Sequence, residues 1–316
     1  MLLILAIHAP AGRANSMQRH GPVAIGMLGA LWAPTGDMLG LRDGLVALGY
    51  QSDVDVALGV RFAAGRTDQL EPILRQLLSH GAHLLYVSDW NVLQAARRVT
   101  TQTPIVFTTW YPPAPDEIAP GSTALGDNVT GVTHAFPDVN PEALERFRAL
   151  IPTLQRVLVP YDAHAPYLAE PLRALRREAS RLGMQLDERA VRTQAEAKQA
   201  IMLTPRAEID GILPISGSLN IAGYALQASL QRQIPTLFAR DWMAEYGGLA
   251  SYGPSWYDLG AQAARLVDRI IKGAEPKTLP VEISHKMHFV INLRTAQRLG
   301  LTIPPSLVSQ ADEVIR

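Results

Sequence analysis

The sequence contains no cysteine. This absence excludes disulfide bonds, thiolate metal sites, a cysteine nucleophile and a lipid-modified N-terminal cysteine. It does not settle the compartment, because a protein with a large hydrophobic core can stay folded outside the cell without disulfides.

The chain also lacks an excess of charge of either sign, since Lys plus Arg and Asp plus Glu both total 29. We therefore expect no nucleic-acid partner and no anionic membrane surface as a partner. No apolar run approaches the roughly 18 residues of a membrane-spanning helix. With 316 residues, 47% hydrophobic and 18% charged, the chain is expected to form about two globular domains.

Common catalytic motifs are missing as well. The sequence has neither a Gly-x-Ser-x-Gly nucleophile elbow nor a Gly-x-x-x-x-Gly-Lys phosphate loop. His285 and His288 precede a predicted strand, and side chains three apart in a strand point to opposite faces, so they are not expected to share a metal. We predict no enzyme activity, no metal and no cofactor.

Residues 1–20 are interpreted as a signal peptide and a disordered N-terminus. Residues 2–7 are apolar, and Gly12 and Ala14 flank Arg13 in a pattern similar to a signal-peptidase site. No basic residue precedes the apolar run, so we place the true start of the signal upstream of Met1. The alternative is a frayed cytosolic N-terminus.

Strand-like and helix-like patterns alternate along most of the chain. Apolar runs at residues 23–30 and 84–87 predict buried strands, and residues 35–50 carry apolar side chains at helical spacing. This alternation predicts an α/β fold with parallel sheets. A second series begins at residue 156, which indicates two doubly wound halves in tandem. Residues 111–133 are predicted as a loop that makes the first crossing between them.

The tryptophans follow a pattern of their own. Four of the five come just after predicted strands, and the fifth, Trp256, is predicted in a loop. Ligands of open α/β sheets bind outside the carboxyl ends of the strands, so we expect at least two of these rings to line a ligand site. The alternative is that they only pack within their own domains.

The C-terminal stretch resembles a known family. The matching segments are FVINLRTAQRLGLTIPPSL at 289–307, ADEVI at 311–315, LRDGLVALGY at 41–50, RFAAGR at 61–66, DNVTGV at 127–132 and GGLASYG at 247–253. They resemble the ABC-transporter substrate-binding proteins of the family that includes the tryptophan/tyrosine-type periplasmic binding proteins. The resemblance runs from about Val23 to the C-terminus.

The resemblance implies a type I periplasmic-binding fold, in which two Rossmann-like lobes joined by three hinge crossings close over a small ligand. It also implies a soluble, monomeric periplasmic protein that hands solute to an ABC permease in the membrane. On this basis we predict an N-terminal lobe of residues 21–134 plus 252–282 and a C-terminal lobe of residues 135–251 plus 283–316.

The predicted pocket departs from the family. Relatives usually carry small residues after strands three and four, whereas this chain has SDWN at 88–91 and TTWYP at 108–112. Aromatic walls suit an aromatic ligand, a sugar face or a quaternary ammonium. Our first choice is an aromatic amino acid or aromatic carboxylate.

Polar side chains at the same strand ends complete the predicted site. Hydroxyl and amide groups at helix starts would meet an anionic ligand group, and a carboxylate would pair with an ammonium. The alternative for each is a plain helix cap, or, for Asp241 beside Arg240, a structural ion pair. The predicted ligand-binding residues are Trp32, Thr35, Ser88, Asp89, Trp90, Asn91, Thr109, Trp110, Tyr161, Asp162, His164, Ser216, Ser218, Asn220, Asp241 and Trp242.

Three functions remain open from the sequence. The first is a solute-binding protein of an ABC importer that works by hinge closure. The second is an extracytoplasmic sensing module of the same fold. The third is an enzyme that uses the cleft between the lobes, as glycosyl transferases with two Rossmann lobes do.

Overall fold

A computed structural model describes residues 21–31, 33–109, 124–134, 140–165, 168–215, 219–240 and 242–316 of the chain. The signal-peptide prediction and part of the predicted site lie outside these residues. The site residues concerned are Trp32, Trp110, Ser216, Ser218 and Asp241.

Strands and helices alternate through the described residues. The strands are β1 (Val23–Gly29), β2 (Val56–Phe62), β3 (Leu84–Ser88), β4 (Ile105–Thr109), β5 (Val129–His134), β6 (Arg156–Asp162), β7 (Gln185–Val191), β8 (Gly211–Ile212), β9 (Leu237–Phe238), β10 (Ala250–Pro254), β11 (Glu282–Ser284), β12 (Met287–Asn292) and β13 (Glu313–Ile315). The helices are α1 (Gly36–Ala47), α2 (Leu70–Ser79), α3 (Trp90–Val99), α4 (Glu142–Leu150), α5 (Ala169–Leu182), α6 (Gln194–Met202), α7 (Ile221–Arg232), α8 (Trp242–Glu245), α9 (Trp256–Ile271), α10 (Leu293–Arg298) and α11 (Pro305–Val308).

The chain divides into two compact units. Among the described residues, the first unit contains 21–109, 124–133 and 256–282, and the second contains 134–255 and 283–316. The chain therefore passes from one unit to the other after residues 133, 255 and 282.

The first unit is built on a sheet in which its strands follow the order β5-β4-β3-β1-β2. The strands from β5 to β2 pair in parallel, which confirms the predicted parallel α/β sheet. Side chains alternate between the two faces of a strand. Leu85, Val87 and Phe107 belong to the hydrophobic core formed with α2 and α3, whereas Tyr86 and Thr108 bond to Asp37 of α1.

Glycines set the close packing of α1 against α9. A Cβ on Gly40 would lie 2.8 Å from the carbonyl carbon of Tyr257, and one on Gly260 would lie 2.6 Å from that of Asp37. Real Cβ atoms are not found so close to backbone atoms. The backbones of the two helices are therefore in contact at both positions, and this contact fixes the start of α1.

The second unit holds two smaller sheets, of order β7-β6-β8 and β13-β12-β10-β9. β6 is parallel to β7 and β8, whereas β12 runs antiparallel to β10. The largest core of this unit brings Phe147, Val157, Leu175 and Phe289 together. Helix α5 ends at Gly183, whose φ of 66° is the left-handed conformation that favours glycine at a helix end.

The structure corrects two predictions from the sequence. Residues 129–133 of the predicted crossing loop belong to β5, which is buried along its whole length. Gly131 permits this, because any Cβ there would collide with Phe107 of the neighbouring strand. Trp256 is also not in a loop. It is the first residue of α9 and only 4% exposed, because it packs beside Gly36 at the start of α1.

Asp210 is predicted to stabilise the second unit. Its carboxylate accepts hydrogen bonds from the backbone N–H groups of Gln155 and Arg156, at 3.1 and 2.8 Å, and from the Arg156 side chain at 2.9 Å. Burial alone would raise the pKa of Asp210, but these hydrogen bonds and the guanidinium charge outweigh it and lower the pKa. The stabilisation is therefore present above the unfolded-state pKa and is lost as the pH falls below about 4.

We expect Asp210→Asn to lower the free energy of unfolding by about 1–2 kcal/mol at pH 7, because one charge-assisted interaction is lost from a partly exposed site. Urea unfolding at pH 7 and near pH 3 measures this difference, which should shrink at the lower pH. Asp187→Asn is the matched control, because within the described part of the chain Asp187 bonds only to the exposed Arg189 two residues away. Equal losses of unfolding free energy in both variants would contradict the stabilising role of Asp210.

Candidate functional site

Two predicted hydroxyl residues meet in the first unit, at the carboxyl end of β3. Ser88 is the last residue of β3 and is 4% exposed, and Thr35 is the N-cap of α1. Their hydroxyl oxygens lie 3.4 Å apart. The Thr35 side chain makes no capping hydrogen bond to its own helix, so the plain-cap alternative does not account for its position.

A buried polar cluster that the sequence did not predict lies beside this pair. The Asp37 carboxylate oxygen Oδ2 accepts hydrogen bonds from the Tyr86 hydroxyl at 2.9 Å and the Thr108 hydroxyl at 2.5 Å. All three residues are 0% exposed. Thr108 is the register partner of Ser88 on the adjacent strand, and Tyr86 is two residues before Ser88 on the same face of β3. The cluster and the hydroxyl pair therefore share one face of the sheet.

The charges of this cluster are set by burial. Burial first, and the Asp37 charge second, raise the pKa of Tyr86 well above its usual range. Tyr86 therefore stays protonated and remains a hydrogen-bond donor at any physiological pH. The other oxygen of Asp37, Oδ1, is buried and has no hydrogen-bond partner among the described residues.

Three more predicted residues lie at the start of α3, namely Asp89, Trp90 and Asn91. Asp89 caps the helix, and its carboxylate accepts a hydrogen bond from the Asn91 N–H at 2.8 Å. Its φ of 116° is unusual for a residue with a side chain. The side chain of Asn91 is exposed, and Thr109, at the end of β4, is 1% exposed.

Trp90 is the first residue of α3 and is half-buried. Part of its ring packs against the hydrophobic core that α2 and α3 share with the sheet. The structure thus places Trp90 at the predicted strand end, two residues after Ser88, where the residue is partly packed on the core and partly exposed.

Five predicted residues of the second unit lie at the ends of its strands and starts of its helices. Asp162 ends β6 and is 3% exposed, and its carboxylate accepts the His164 N–H at 2.9 Å. The His164 side chain is largely exposed, and Tyr161 is half-buried. Asn220 precedes α7 without a side-chain capping bond. The Arg240 guanidinium lies 5.5 Å from the centre of the Trp242 ring, a cation–π arrangement.

A separate surface groove of about 500 Å³ lies between β7 and α6 in the second unit. None of the predicted site residues that the structure describes lines it. Two of its charged side chains already have partners, since Glu188 pairs with Arg176 and Arg189 pairs with Asp187. We assign no ligand to this groove.

The described part of the chain contains no group of three or more His, Cys, Asp or Glu side chains arranged to hold a metal ion. None of its helices combines the length and the apolar character needed to cross a membrane.

The family model for ABC transporter substrate binding proteins matches residues 35–315. The chain belongs to this family. Substrate-binding proteins of this kind bind small molecules and work with ABC transporter permeases outside the cytoplasm. The match covers both compact units, so both belong to the substrate-binding protein.

Known proteins resemble this substrate-binding protein over most of its length. A tyrosine-binding protein of Clostridioides difficile is 21% identical over 255 residues, which are 80% of this chain and 73% of the relative. An ABC domain from Streptococcus pneumoniae, solved in complex with L-Trp, matches with a TM-score of 0.73 at 24% identity, over 93% of this chain and 100% of that one.

A third match is the ligand-free, open structure of a substrate-binding protein with adhesive properties from Clostridium difficile. Its TM-score is 0.68 at 20% identity, over 92% of this chain and 99% of that one. Together these structures show that this substrate-binding protein has the type I periplasmic-binding fold that the sequence predicted.

Proposed function

We propose that this protein is the periplasmic solute-binding component of an ABC importer and that its ligand is a small aromatic amino acid or aromatic carboxylate. In this proposal the protein closes on the ligand by a hinge motion, delivers it to the permease as a monomer and does not transform it. A signal peptide within residues 1–20 would direct it out of the cytoplasm.

The Thr35–Ser88 pair is the observation that carries this proposal. Two hydroxyl groups 3.4 Å apart stand at the start of the twelve-residue helix α1, where backbone N–H groups and the helix dipole favour a negatively charged group. Hydroxyls and N–H groups in this arrangement suit a carboxylate of the ligand.

Trp90 supports the aromatic part of the ligand. It lies two residues after Ser88 and is half-buried, so that its flat face can stack on a ring. One of the similar proteins is named for tyrosine binding, and another was solved with L-Trp. These two ligands support an aromatic amino acid as the ligand of this chain.

A ligand screen on the purified protein tests the proposal. The panel holds aromatic amino acids, aromatic carboxylates, aliphatic amino acids, sugars and quaternary amines, and the readouts are tryptophan emission and melting temperature. A ligand that binds only the folded state stabilises it, by about 2.7 kcal/mol at a ligand concentration of a hundred times Kd. This stabilisation raises the melting temperature.

We expect aromatic amino acids to give the largest rise together with a change in emission. A rise with sugars or quaternary amines alone would reject the aromatic ligand while leaving a binding role in place. Conversion of a bound compound into a product would reject the binding role in favour of an enzyme.

A further inference from the structure

Asp89 has a backbone conformation that residues with a side chain rarely adopt. Its φ is 116° and its ψ is 148°, close to a region that only glycine normally occupies. The other described residues with a side chain and a positive φ are Asp53, Ala64 and Gln233, at 61°, 52° and 52°, near the left-handed conformation that such residues tolerate better. Among these four residues, Asp89 therefore has the most strained backbone.

Three hydrogen bonds hold Asp89 in this conformation. Its N–H donates to the Thr108 carbonyl of β4 at 3.0 Å, its own carbonyl accepts the Leu93 N–H of α3 at 3.1 Å, and its carboxylate accepts the Asn91 N–H at 2.8 Å. The segments on both sides are also fixed, because β3 and Leu93 are buried. Strain of this kind persists only where the surrounding contacts impose it.

Asp89 separates two parts of the proposed ligand site in the first unit. Ser88, whose hydroxyl lies beside that of Thr35, precedes it, and Trp90 follows it. The φ and ψ of Asp89 set the direction in which the chain leaves β3, so they also set the position of Trp90 relative to the Ser88 hydroxyl. A negative φ would turn the start of α3 and carry the indole ring elsewhere. Strained backbones occur at binding sites because they fix such geometry before a ligand arrives.

We propose that Asp89 is a positioning residue whose strained backbone holds Trp90 and the Thr35–Ser88 pair in their binding geometry in the free protein. This inference rests on the proposed function and adds a residue that acts through its neighbours. In this role the Asp89 side chain needs an oxygen that accepts the Asn91 N–H. It needs no charge, so the role differs from a direct ion pair between Asp89 and a ligand ammonium.

Asp89→Gly separates positioning from stability. Glycine adopts this conformation without steric cost and caps a helix nearly as well as aspartate. The relief of strain outweighs the entropy that glycine loses on folding, so the variant should melt at or above the wild-type temperature. Its backbone can also take other conformations, so Trp90 must be ordered again on binding. Isothermal titration should show L-tryptophan and L-tyrosine, whichever the wild type binds, held about three- to tenfold more weakly.

Asp89→Asn and Gln233→Gly are the matched controls. Asparagine keeps an oxygen that can accept the Asn91 N–H and tolerates a positive φ better than most residues, so Kd should stay within about twofold of the wild-type value. Gln233 lies at the end of α7 in the second unit, with a φ of 52°. Gln233→Gly should raise the melting temperature as well and leave Kd unchanged, because no residue predicted to bind ligand lies at this helix end.

Acrylamide quenching of tryptophan emission reports the position of Trp90 without any ligand. In the free protein, quenching should rise in Asp89→Gly relative to the wild type, because the ring is no longer held in one place against the core. The same comparison in a Trp90→Phe background should show no rise, which assigns the effect to this ring. A residue that only supports the fold would not change the quenching while the melting temperature is maintained.

The outcomes separate this inference from the proposed function. An unchanged Kd in Asp89→Gly, no rise in quenching, or a loss of affinity that follows a fall in melting temperature would overturn the positioning role and leave the aromatic ligand in place. Equal losses of affinity in Asp89→Asn and Asp89→Gly would overturn it in favour of a direct contact by the carboxylate. If the wild type binds neither amino acid, the proposed ligand is rejected and this inference with it.

Discussion

Replacing Gly260 with alanine is expected to lower the free energy of unfolding by about 1–2 kcal/mol. The new Cβ would lie 2.6 and 2.7 Å from the carbonyl carbon and Cα of Asp37 and closer still to its carbonyl oxygen. Backbone atoms cannot swing aside as a side chain can, so the helices must separate, and overpacking of this kind costs about 1–3 kcal/mol. Alanine gains only about 1 kcal/mol of helix propensity over glycine, so the clash decides the sign.

Gly59→Ala is the matched control for this change. Gly59 lies in β2, and its nearest neighbours would be 3.8 and 3.9 Å from the new Cβ, an ordinary contact distance. Urea unfolding of both variants, with the slope checked for a common unfolded state, gives the comparison. A loss in Gly260→Ala no larger than in Gly59→Ala would show that α1 and α9 can move apart freely.

The same contact connects stability with the ligand site. Gly260 packs on the backbone of Asp37, and Asp37 is two residues from Thr35. If α1 shifts to admit a methyl group, the Thr35–Ser88 distance must change as well. Gly260→Ala is therefore expected to weaken ligand binding even though no ligand is proposed to touch Gly260.

The sequence predicted the framework of the fold because its signals are local. β1, β3 and β4 are apolar runs, and Gly183 ends α5 with a conformation that its own lack of a side chain permits. β7 was missed because three consecutive charged residues, Asp187, Glu188 and Arg189, interrupt its apolar residues and it is only partly covered. β5 was missed because Thr and Gly are common in loops. The same residues also suit a buried strand such as β5, in which the neighbouring strand leaves no room for a Cβ.

The candidate site was only partly predictable for a related reason. Thr35 and Ser88 stand at helix and strand ends that the local pattern marks. Asp37 has the same local pattern as any acid in a first helical turn. What makes it unusual is its burial under Tyr86 and Thr108, which lie 49 and 71 residues further along the chain. Tertiary contacts of that kind leave no trace in the spacing of residues.

Trp90→Ala is expected to weaken binding of an aromatic ligand about ten- to a hundredfold. Stacked rings and buried Trp anchors contribute about 1.5–3 kcal/mol to recognition, and 1.4 kcal/mol corresponds to a factor of ten in Kd. The ring is half-buried against the core, so some loss of stability will accompany the loss of affinity. Titration calorimetry and melting curves on the same samples separate the two effects.

Trp90→Phe and Trp256→Phe form a matched pair that assigns the contact. Trp90→Phe keeps an aromatic face, so most of the affinity should remain, but the change in tryptophan emission on ligand binding should shrink. Trp256 is buried at the start of α9, so Trp256→Phe should keep that change. Were Trp90→Ala to lower only the melting temperature and leave Kd unchanged, the ring would be a packing element of α3. The aromatic preference would then have to come from other side chains.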